Sequence, residues 1–215
     1  MSEALQITAI PGGPLETNAY LVVSPSTLTA LLIDTPPQTR DEIVRLVGEL
    51  GVTVERIVIT HTHWDHIVDA TALRDALEAP LLAHPDAAAK LKSPGSVVMD
   101  LPYTIAPITL DGHLGEGDTV SLGERTFAVY HLPGHDPAHI VLYSAEDKVV
   151  FGGDVLFPGG HGRTDIEGAD QATMVRSLAR LLELPDDVTV YPGHGVETTI
   201  GAERGWMREM TSELA

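Results

Sequence analysis

The sequence predicts an α/β protein in which two β-sheets pack face to face and helices cover their outer faces. Short apolar segments typical of strands alternate with amphipathic, helix-like segments along the chain. Both halves are rich in strands, and each run of strands is followed by helices, as expected of a layered sandwich. With 43% hydrophobic residues, the 215-residue chain (1–215) is predicted to form a single domain with a sizeable core.

The first half is predicted to alternate between strands and helices. In order, the elements are strands near 5–10, 19–24 and 28–34, a helix from Thr39 or Asp41 to Gly51, a strand at 56–60, a helix at 66–78, a strand at 80–84 and a short helix at 85–91. The turn at 24–27 favours a hairpin between the second and third strands. Residues 92–105 are predicted to form an irregular loop, of a length often found in functional lids.

The second half is predicted to contain six strands and two helices. The strands lie near 107–109, 118–122, 125–131, 139–144, 148–153 and 187–191. A helix at 170–183 carries Met174, Leu178 and Leu181 on one face. The last helix begins after His194.

Four side chains of the kinds that bind metals lie within six residues, in the segment His61-Thr62-His63-Trp64-Asp65-His66. His61 and His63 share one face of an extended segment, because side chains alternate along a strand. Asp65 and His66 lie where the chain turns into a helix. Ligands are therefore presented to two neighbouring points, which suits a pair of metal ions. Imidazole and carboxylate together favour zinc, iron or manganese over calcium.

Three further candidate ligands each follow an apolar strand directly, namely His135, Asp154 and His194. Loops at one edge of a sheet converge, and sites are commonly built there. Glycines beside each of the three allow the backbone to come close to bound ions. Together with the first cluster, these positions predict a metal centre.

These motifs resemble those of the metallo-β-lactamase superfamily, in the same order along the chain. They are THTHWDH at 60–66, PGH at 133–135, GGD at 152–154 and PGHG at 192–195. Within the superfamily the chain looks most like the short form of the glyoxalase II, or hydroxyacylglutathione hydrolase, branch. The resemblance covers nearly the whole chain and implies an αββα sandwich of two mixed sheets.

The resemblance also implies a scheme of ligands for two divalent ions, with zinc favoured and iron or manganese as alternatives. The first ion is bound by His61, His63 and His135, and the second by Asp65, His66 and His194. Asp154 bridges the two ions, together with a hydroxide that attacks the substrate. Asp65 and Asp154 are the expected catalytic carboxylates.

The chain departs from the family pattern at two places near these ligands. Val68 and Asp69 replace a pair of glycines, and Asp69 is interpreted either as a partner of the ligands or as a solvated residue. After His135 the usual Thr-Pro-Gly-Ser is replaced by Asp-Pro-Ala-His, which ends in His139. His139 is a candidate hydrogen-bond partner of the ligands, an extra acid or base, or a strand-start residue. His84 is a weaker candidate for the same outer role.

Substrate contacts are predicted for three residues. His161 lies in a glycine-rich loop, Arg163 follows it in a GRTD segment, and Arg204 lies near the C-terminus. Each has a plain alternative, because a mobile surface histidine or a surface ion pair explains the same residue.

The implied function is a metal-dependent thioester hydrolase acting on an S-2-hydroxyacyl thiol such as S-lactoylglutathione. A persulfide dioxygenase is the main alternative, with one iron at the positions of His61, His135 and Asp154. A lactonase and a metal-binding protein without turnover are further alternatives. The missing C-terminal helical domain of longer glyoxalase II proteins leaves the thiol carrier open.

Charge and composition exclude several classes of partner. The formal net charge is −18, from 31 acidic and 13 basic residues, which opposes binding to nucleic acid or anionic membranes. Cysteine is absent, so the chain has no thiolate ligand or disulfide. No signal-like N-terminus or long apolar run occurs, so a cytoplasmic location and a small-molecule partner are expected. The oligomeric state is not predicted.

Overall fold

A computed structural model describes residues 3–94 and 103–212 of the chain. The elements of the first half are β1 (Gln6–Gly12), β2 (Thr17–Ser24), β3 (Thr29–Ile33), α1 (Arg40–Leu50), β4 (Thr53–Val58), α2 (Trp64–Ile67), α3 (Ala70–Leu77), β5 (Leu81–Ala83) and α4 (Ala87–Lys92). Those of the second half are β6 (Gly112–His113), β7 (Thr119–Leu122), β8 (Arg125–His131), β9 (Ile140–Ser144), β10 (Val149–Gly153), α5 (Gln171–Leu181), β11 (Thr189–Pro192), β12 (Thr198–Thr199) and α6 (Ile200–Thr211).

The strands form two mixed sheets of six strands each, which confirms the predicted fold class. The first sheet has the order β1-β2-β3-β4-β5-β6 and becomes parallel from β3 onward. The second has the order β12-β11-β10-β9-β8-β7, and only its β10–β11 pair is parallel. The predicted hairpin between β2 and β3 is present, with antiparallel pairing from Tyr20 opposite Ile33 to Ser24 opposite Thr29.

Both faces of β2 and β3 are buried, which explains their continuous apolar sequences. Tyr20 and Val22 point into the layer between the sheets, where they meet Phe127 and Phe151 of the second sheet. Alternate residues of the same strands pack on the other face with α1 and α3. A third apolar cluster lies between the second sheet and the helices α5 and α6. The layers are therefore helix, sheet, sheet and helix.

The predicted helix at 66–78 is broken, and the single-helix prediction was wrong. Thr35 donates from both its amide and its hydroxyl to the carbonyl of His66, and the amide of Asp69 donates to Thr35. A residue inserted into the hydrogen-bond ladder in this way ends a helix. Asp69 then accepts hydrogen bonds from the amides of Thr39 and Arg40 at the start of α1. Asp69 therefore caps a neighbouring helix.

The predicted strand at 107–109 is also absent, and the first sheet is instead completed by β6 five residues later. Pro107 has no amide proton to donate to a strand ladder, and the amide of Ile108 donates to Leu91. The two-residue strand β12 was not predicted. Residues 95–102 of the predicted loop lie outside the described residues. Within the two described ranges, no helix is both long enough and apolar enough to cross a membrane.

Candidate metal centre

The seven predicted ligands lie together at one end of the sandwich, just beyond the ends of β4, β8, β10 and β11. Three groups of side chains have ligand atoms that all lie within 4.8 Å of one another. They are His61, His63 and His135; His61, His66 and Asp154; and Asp65, His66 and His194. We call the first of these groups the triple-imidazole set and the last the carboxylate set.

The triple-imidazole set brings the ring nitrogens of three histidines together. The Nδ1 atom of His63 and the Nε2 atom of His135 lie 2.7 Å apart. His135 donates from Nδ1 to the carbonyl of Arg163 at 2.8 Å, so its Nε2 carries a lone pair when the ring is neutral. His61 is oriented similarly, with Nδ1 3.0 Å from the hydroxyl of Thr60. Ring nitrogens of all three histidines therefore converge closely enough to bind one cation.

The carboxylate set is arranged around Asp65. Its Oδ2 atom lies 3.4 Å from His66 Nε2 and 3.3 Å from His194 Nε2. The hydroxyl of Thr17 donates to the same oxygen at 2.7 Å. His194 is oriented by the carbonyl of Leu15, which accepts from Nδ1 at 3.0 Å. Thr17 begins β2 and Leu15 lies in the turn between β1 and β2, so the N-terminal hairpin closes this side of the centre.

Asp154 lies between the two sets. Its Oδ2 atom is 3.3 Å from His135 Nε2 and 3.5 Å from His194 Nε2, while Oδ1 is 3.4 Å from His66 Nε2. One carboxylate thus contacts imidazoles of both sets. This is the position from which a single anion can contact two cations at once.

Among the described residues, four buried side-chain atoms have no hydrogen-bond partner: His139 Nδ1 beside the centre, and three atoms within it, His61 Nε2, His66 Nε2 and Asp154 Oδ1. Burying polar atoms without partners is costly, and native proteins rarely leave them unpaired. These three residues form one of the groups with converging ligand atoms. Bound metal would satisfy all three atoms, and the nitrogen and oxygen donors fit zinc, iron or manganese.

The two sets differ in their affinity for protons. Burial, reinforced by neighbouring imidazoles, holds the pKa of His61 well below its usual value and lowers that of His63 to about 4. Burial acts in the same direction on His194, but hydrogen bonds to Asp154 and Asp65 outweigh it and raise the pKa to about 10. Without metal, His61 and His63 are therefore neutral at pH 7, whereas His194 in the carboxylate set retains a proton.

Asp34, at the end of β3, was not predicted. His66 donates from Nδ1 to Asp34 Oδ2 at 2.8 Å, and Thr60 donates to Asp34 from both its amide and its hydroxyl at 2.8 Å. Asp34 is buried and has a φ of 58°, in the left-handed region. It thus orients His66 directly and His61 through Thr60. The signal was present in the sequence, because Asp34 follows an apolar strand just as Asp154 does.

His139 lies beside the centre, in the outer position that the sequence suggested. Its Nε2 atom accepts the amide proton of Asp154 at 3.0 Å, and its ring stacks on that of His61 with 4.8 Å between centroids. Burial lowers its pKa to about 3, so the ring is neutral. His84, in contrast, stacks on His131 at 4.0 Å and belongs to none of the converging groups among the described residues.

Two glycines are required by close approach to the ligands. A Cβ atom on Gly193 would lie 2.2 Å from Asp154 Oδ1, inside contact distance. Gly153 has a φ of 47°, and a Cβ there would lie 2.7 Å from His139 Nε2. The glycines of the GGD and PGHG motifs therefore let the backbone pass directly behind the bridging carboxylate.

The predicted substrate contacts are not all placed as expected. The guanidinium of Arg204 bonds to Asp186 and to the carbonyls of Leu182 and Leu184, where it secures the end of α5. These contacts are those of the ion-pair alternative, and the substrate role of Arg204 stays a prediction. The exposed side chain of Arg163 pairs with Asp165.

His161 lines a surface cleft of about 600 Å³. The other lining residues are Gly159, Gly160, Trp206, Glu209 and Met210. The loop that carries His161 is tied to the metal centre, because the next amide, of Gly162, donates to the carbonyl of Asp154 at 2.9 Å. Near His194 the surface is apolar: Leu15 is 51% exposed, Val196 is 73% exposed, and the ring of Phe157 lies 6.0 Å from that of His194.

Comparison with known proteins decides the family. Residues 12–194 match the model of the metallo-beta-lactamase superfamily. The chain belongs to this superfamily. The resemblance inferred from the motifs is thereby confirmed, and membership supports a metal-dependent hydrolase.

Two relatives match this chain along most of their length. A probable metallo-hydrolase, YqgX of Bacillus subtilis, is 34% identical over 91% of this chain and 92% of its own. The hydroxyacylglutathione hydrolase GloC of Haemophilus influenzae is 31% identical over 93% of this chain and 95% of its own.

Three solved structures share the fold. The B3 metallo-beta-lactamase BLEG-1 has a TM-score of 0.87 and 32% identity, covering 96% of this chain and all of its own. TTHA1623, determined in a di-iron-bound form, has a TM-score of 0.77 and 36% identity over 92% and 97% of the two chains. ETHE1 from Myxococcus xanthus has a TM-score of 0.78 and 28% identity over 96% and 85%.

Proposed function

We propose that this protein is a binuclear metal-dependent hydrolase that cleaves a thioester of the S-2-hydroxyacyl-glutathione type. The observation that carries the proposal is the position of Asp154, whose two oxygens face imidazoles of both ligand sets. The unpartnered buried atoms of His61, His66 and Asp154 support bound metal at the same point. Two zinc ions are the proposed cofactors, and the di-iron form of TTHA1623 keeps iron as an alternative.

Bound divalent ions supply two things to such a reaction, a water whose pKa is lowered to about 7 and a positive charge that polarises the carbonyl. The residues of this chain supply the geometry. Asp154 and Asp65 provide the negative charge that keeps two cations close together. Thr17, Asp34, Leu15 and the carbonyl of Arg163 hold the ligands in orientation through the atoms not used for metal.

The proposed reaction adds water across the thioester, so that the C–S bond breaks and a carboxylic acid and a thiol form. No protein nucleophile is required, and cysteine is absent from the sequence. The similarity to the hydroxyacylglutathione hydrolase GloC supports this substrate type. We therefore propose a small-molecule substrate. We also propose a cytoplasmic location with no nucleic acid or membrane partner, which the net charge of −18 supports.

A mononuclear iron persulfide dioxygenase is the second candidate, and the similarity to ETHE1 is compatible with it. The complete carboxylate set favours the hydrolase, because a reaction at one iron does not need Asp65, His66 and His194 to converge. The two candidates therefore differ in how many metal ions each chain must hold.

The deciding experiment measures metal content per chain by elemental analysis, on protein purified without chelator, together with turnover of S-lactoylglutathione. We expect close to two ions per chain and loss of the thioester. A lactone is assayed in parallel. Turnover of the lactone without turnover of the thioester would show that the protein is a lactonase. One iron per chain, with oxygen uptake on glutathione persulfide and no thioester loss, would contradict the hydrolase.

A further inference from the structure

Asp136 is a buried carboxylate beside the metal centre whose contacts reach across the fold. Only 2% of the residue is exposed. Its Oδ1 atom accepts the amide proton of Ala138 at 2.7 Å. Its Oδ2 atom accepts from the hydroxyl of Thr62 and, at 3.2 Å, from the Nζ atom of Lys90 in α4. Burial opposes ionisation of Asp136, but these donors outweigh it and lower the pKa to about 2.

These contacts join the segments that carry the triple-imidazole set. Thr62 lies between His61 and His63, and Asp136 itself directly follows His135. The main-chain carbonyl of Asp136 also accepts from the amide of His139 at 3.2 Å, and His139 in turn accepts the amide proton of Asp154. One residue therefore connects the three segments that present these histidines and the bridging carboxylate.

A simple turn-forming role does not account for this arrangement. An aspartate that stabilises a turn needs one oxygen for a backbone amide two residues later, which Oδ1 provides here through Ala138. The second oxygen is directed to side chains 74 and 46 residues away in sequence, on the β4–α2 loop and on α4. Contacts of that range fix elements relative to one another.

We propose that Asp136, together with Thr62 and Lys90, is a positioning group that sets the metal affinity of the triple-imidazole set. The inference rests on the proposed metal centre and concerns only one of its two halves. Neither Asp65 nor His194 contacts this group, so the carboxylate set is held independently. Lys90 supplies the countercharge that a buried carboxylate requires.

The test compares Zn²⁺ affinity in two backgrounds, each with one ligand set disabled. His194→Ala leaves the triple-imidazole set intact, and His63→Ala leaves the carboxylate set intact. Asp136→Asn and Thr62→Val are introduced into each background, and Zn²⁺ binding is measured by competition with a chromophoric chelator. In Asp136→Asn, the amide nitrogen must face either the donors of Thr62 and Lys90 or the amide proton of Ala138, so one of these two sets of hydrogen bonds is lost with little change of volume.

We expect Zn²⁺ to bind about 10- to 100-fold more weakly in the His194→Ala background, the usual effect of losing a group that orients ligands. In the His63→Ala background we expect a change below about twofold. Thr62→Ser keeps the hydroxyl that Thr62→Val removes, so in the His194→Ala background it should bind Zn²⁺ as tightly as the protein with Thr62. Lys90→Met should weaken binding by a smaller factor, whereas Lys148→Met, which breaks an exposed pair with Asp187, should have no effect.

Equal weakening in both backgrounds would overturn the inference, because it would mark a general loss of structure. Thermal unfolding of the metal-free variants checks the same point. Unchanged affinity in the His194→Ala background would overturn it as well. Failure of the proposed function is distinct, since it would be seen in the unsubstituted protein as fewer than two Zn²⁺ ions per chain.

Discussion

The two ligand sets of the centre lie side by side but are built differently. The triple-imidazole set has no carboxylate of its own and shares Asp154 with its neighbour. The carboxylate set contains Asp65, and its His66 also donates to Asp34. The carboxylate set is therefore the more anionic, which agrees with the raised pKa of His194 and the lowered pKa of His63.

The supports of the two sets also come from different parts of the chain. Thr17, the first residue of β2, holds Asp65, and Leu15, in the turn before β2, holds His194. The loop carbonyl of Arg163, in the second half, holds His135. Asp34 is linked to both, directly to His66 and through Thr60 to His61. The comparison teaches that the two ligand sets are supported separately, except through Asp154 and, more weakly, Asp34.

The largest effect is expected from Asp154→Ala, because this carboxylate is common to both sets. Without it, two cations lose the anion between them, and hydrolysis should fall roughly 10³-fold, at the upper end for losing one electrostatic group. Values of kcat/KM and metal content per chain measure the effect. Asp187→Ala, which removes an exposed carboxylate, is the control. Full activity in Asp154→Ala would contradict the binuclear mechanism.

His194→Ala is expected to separate the two sets. It removes one of the three residues of the carboxylate set and leaves the triple-imidazole set untouched. Metal content should fall from two toward one ion per chain, and thioester hydrolysis should fall by roughly 10²-fold. If metal content and hydrolysis both stay unchanged, the carboxylate set is not part of the working centre. An iron dioxygenase would keep its metal and its oxygen uptake.

Asp34→Asn tests the group that lies behind both sets. An amide in this position still accepts from Thr60 or from His66 but cannot serve all three donors as a carboxylate does. We expect affinity for the second ion to fall about 10- to 100-fold and affinity for the first to fall less, because His61 is reached only through Thr60. Chelator competition measures both. A larger loss of affinity for the first ion would show that Asp34 acts mainly on His61 and not on His66.

The sequence was sufficient to place the ligands but not their supports. Each ligand follows an apolar strand or lies in the dense histidine cluster, so local pattern alone brings them to one edge of the sandwich. The same pattern at Asp34 does not by itself predict a role at the centre, because a single aspartate after a strand has many ordinary explanations. The break between α2 and α3 could not be predicted locally, since Thr35, about 30 residues earlier, causes it.

Proline explains one further failure of local pattern. The segment at 107–109 has the apolar character of a strand, but Pro107 cannot donate to a ladder, and the sheet is completed at Gly112–His113. The contacts of Arg204 could not be predicted for a similar reason, since its sequence position does not reveal that carbonyls at the end of α5 accept hydrogen bonds from its guanidinium. Tertiary contacts decide both cases.

The smallest effect is expected from Arg163→Met, which separates a main-chain role from a side-chain role. Arg163 supports the triple-imidazole set only through its carbonyl, while its exposed guanidinium pairs with Asp165. Metal affinity should therefore stay within about twofold of the unsubstituted protein. If the guanidinium binds a carboxylate of the thiol carrier, KM for S-lactoylglutathione should rise by up to about fivefold, the size of an exposed ion pair, while kcat stays constant.

Arg204→Met is the matched control for that measurement. Its guanidinium is engaged by Asp186 and two carbonyls, so the substitution should lower thermal stability without changing KM. A rise in KM for Arg204→Met alone would support the substrate role predicted for Arg204 over the ion-pair alternative. Weaker metal binding in Arg163→Met would show that the side chain, and with it the whole 162–165 loop, holds His135 in place. The triple-imidazole set would then depend on a surface loop, whereas the carboxylate set is supported by the first sheet.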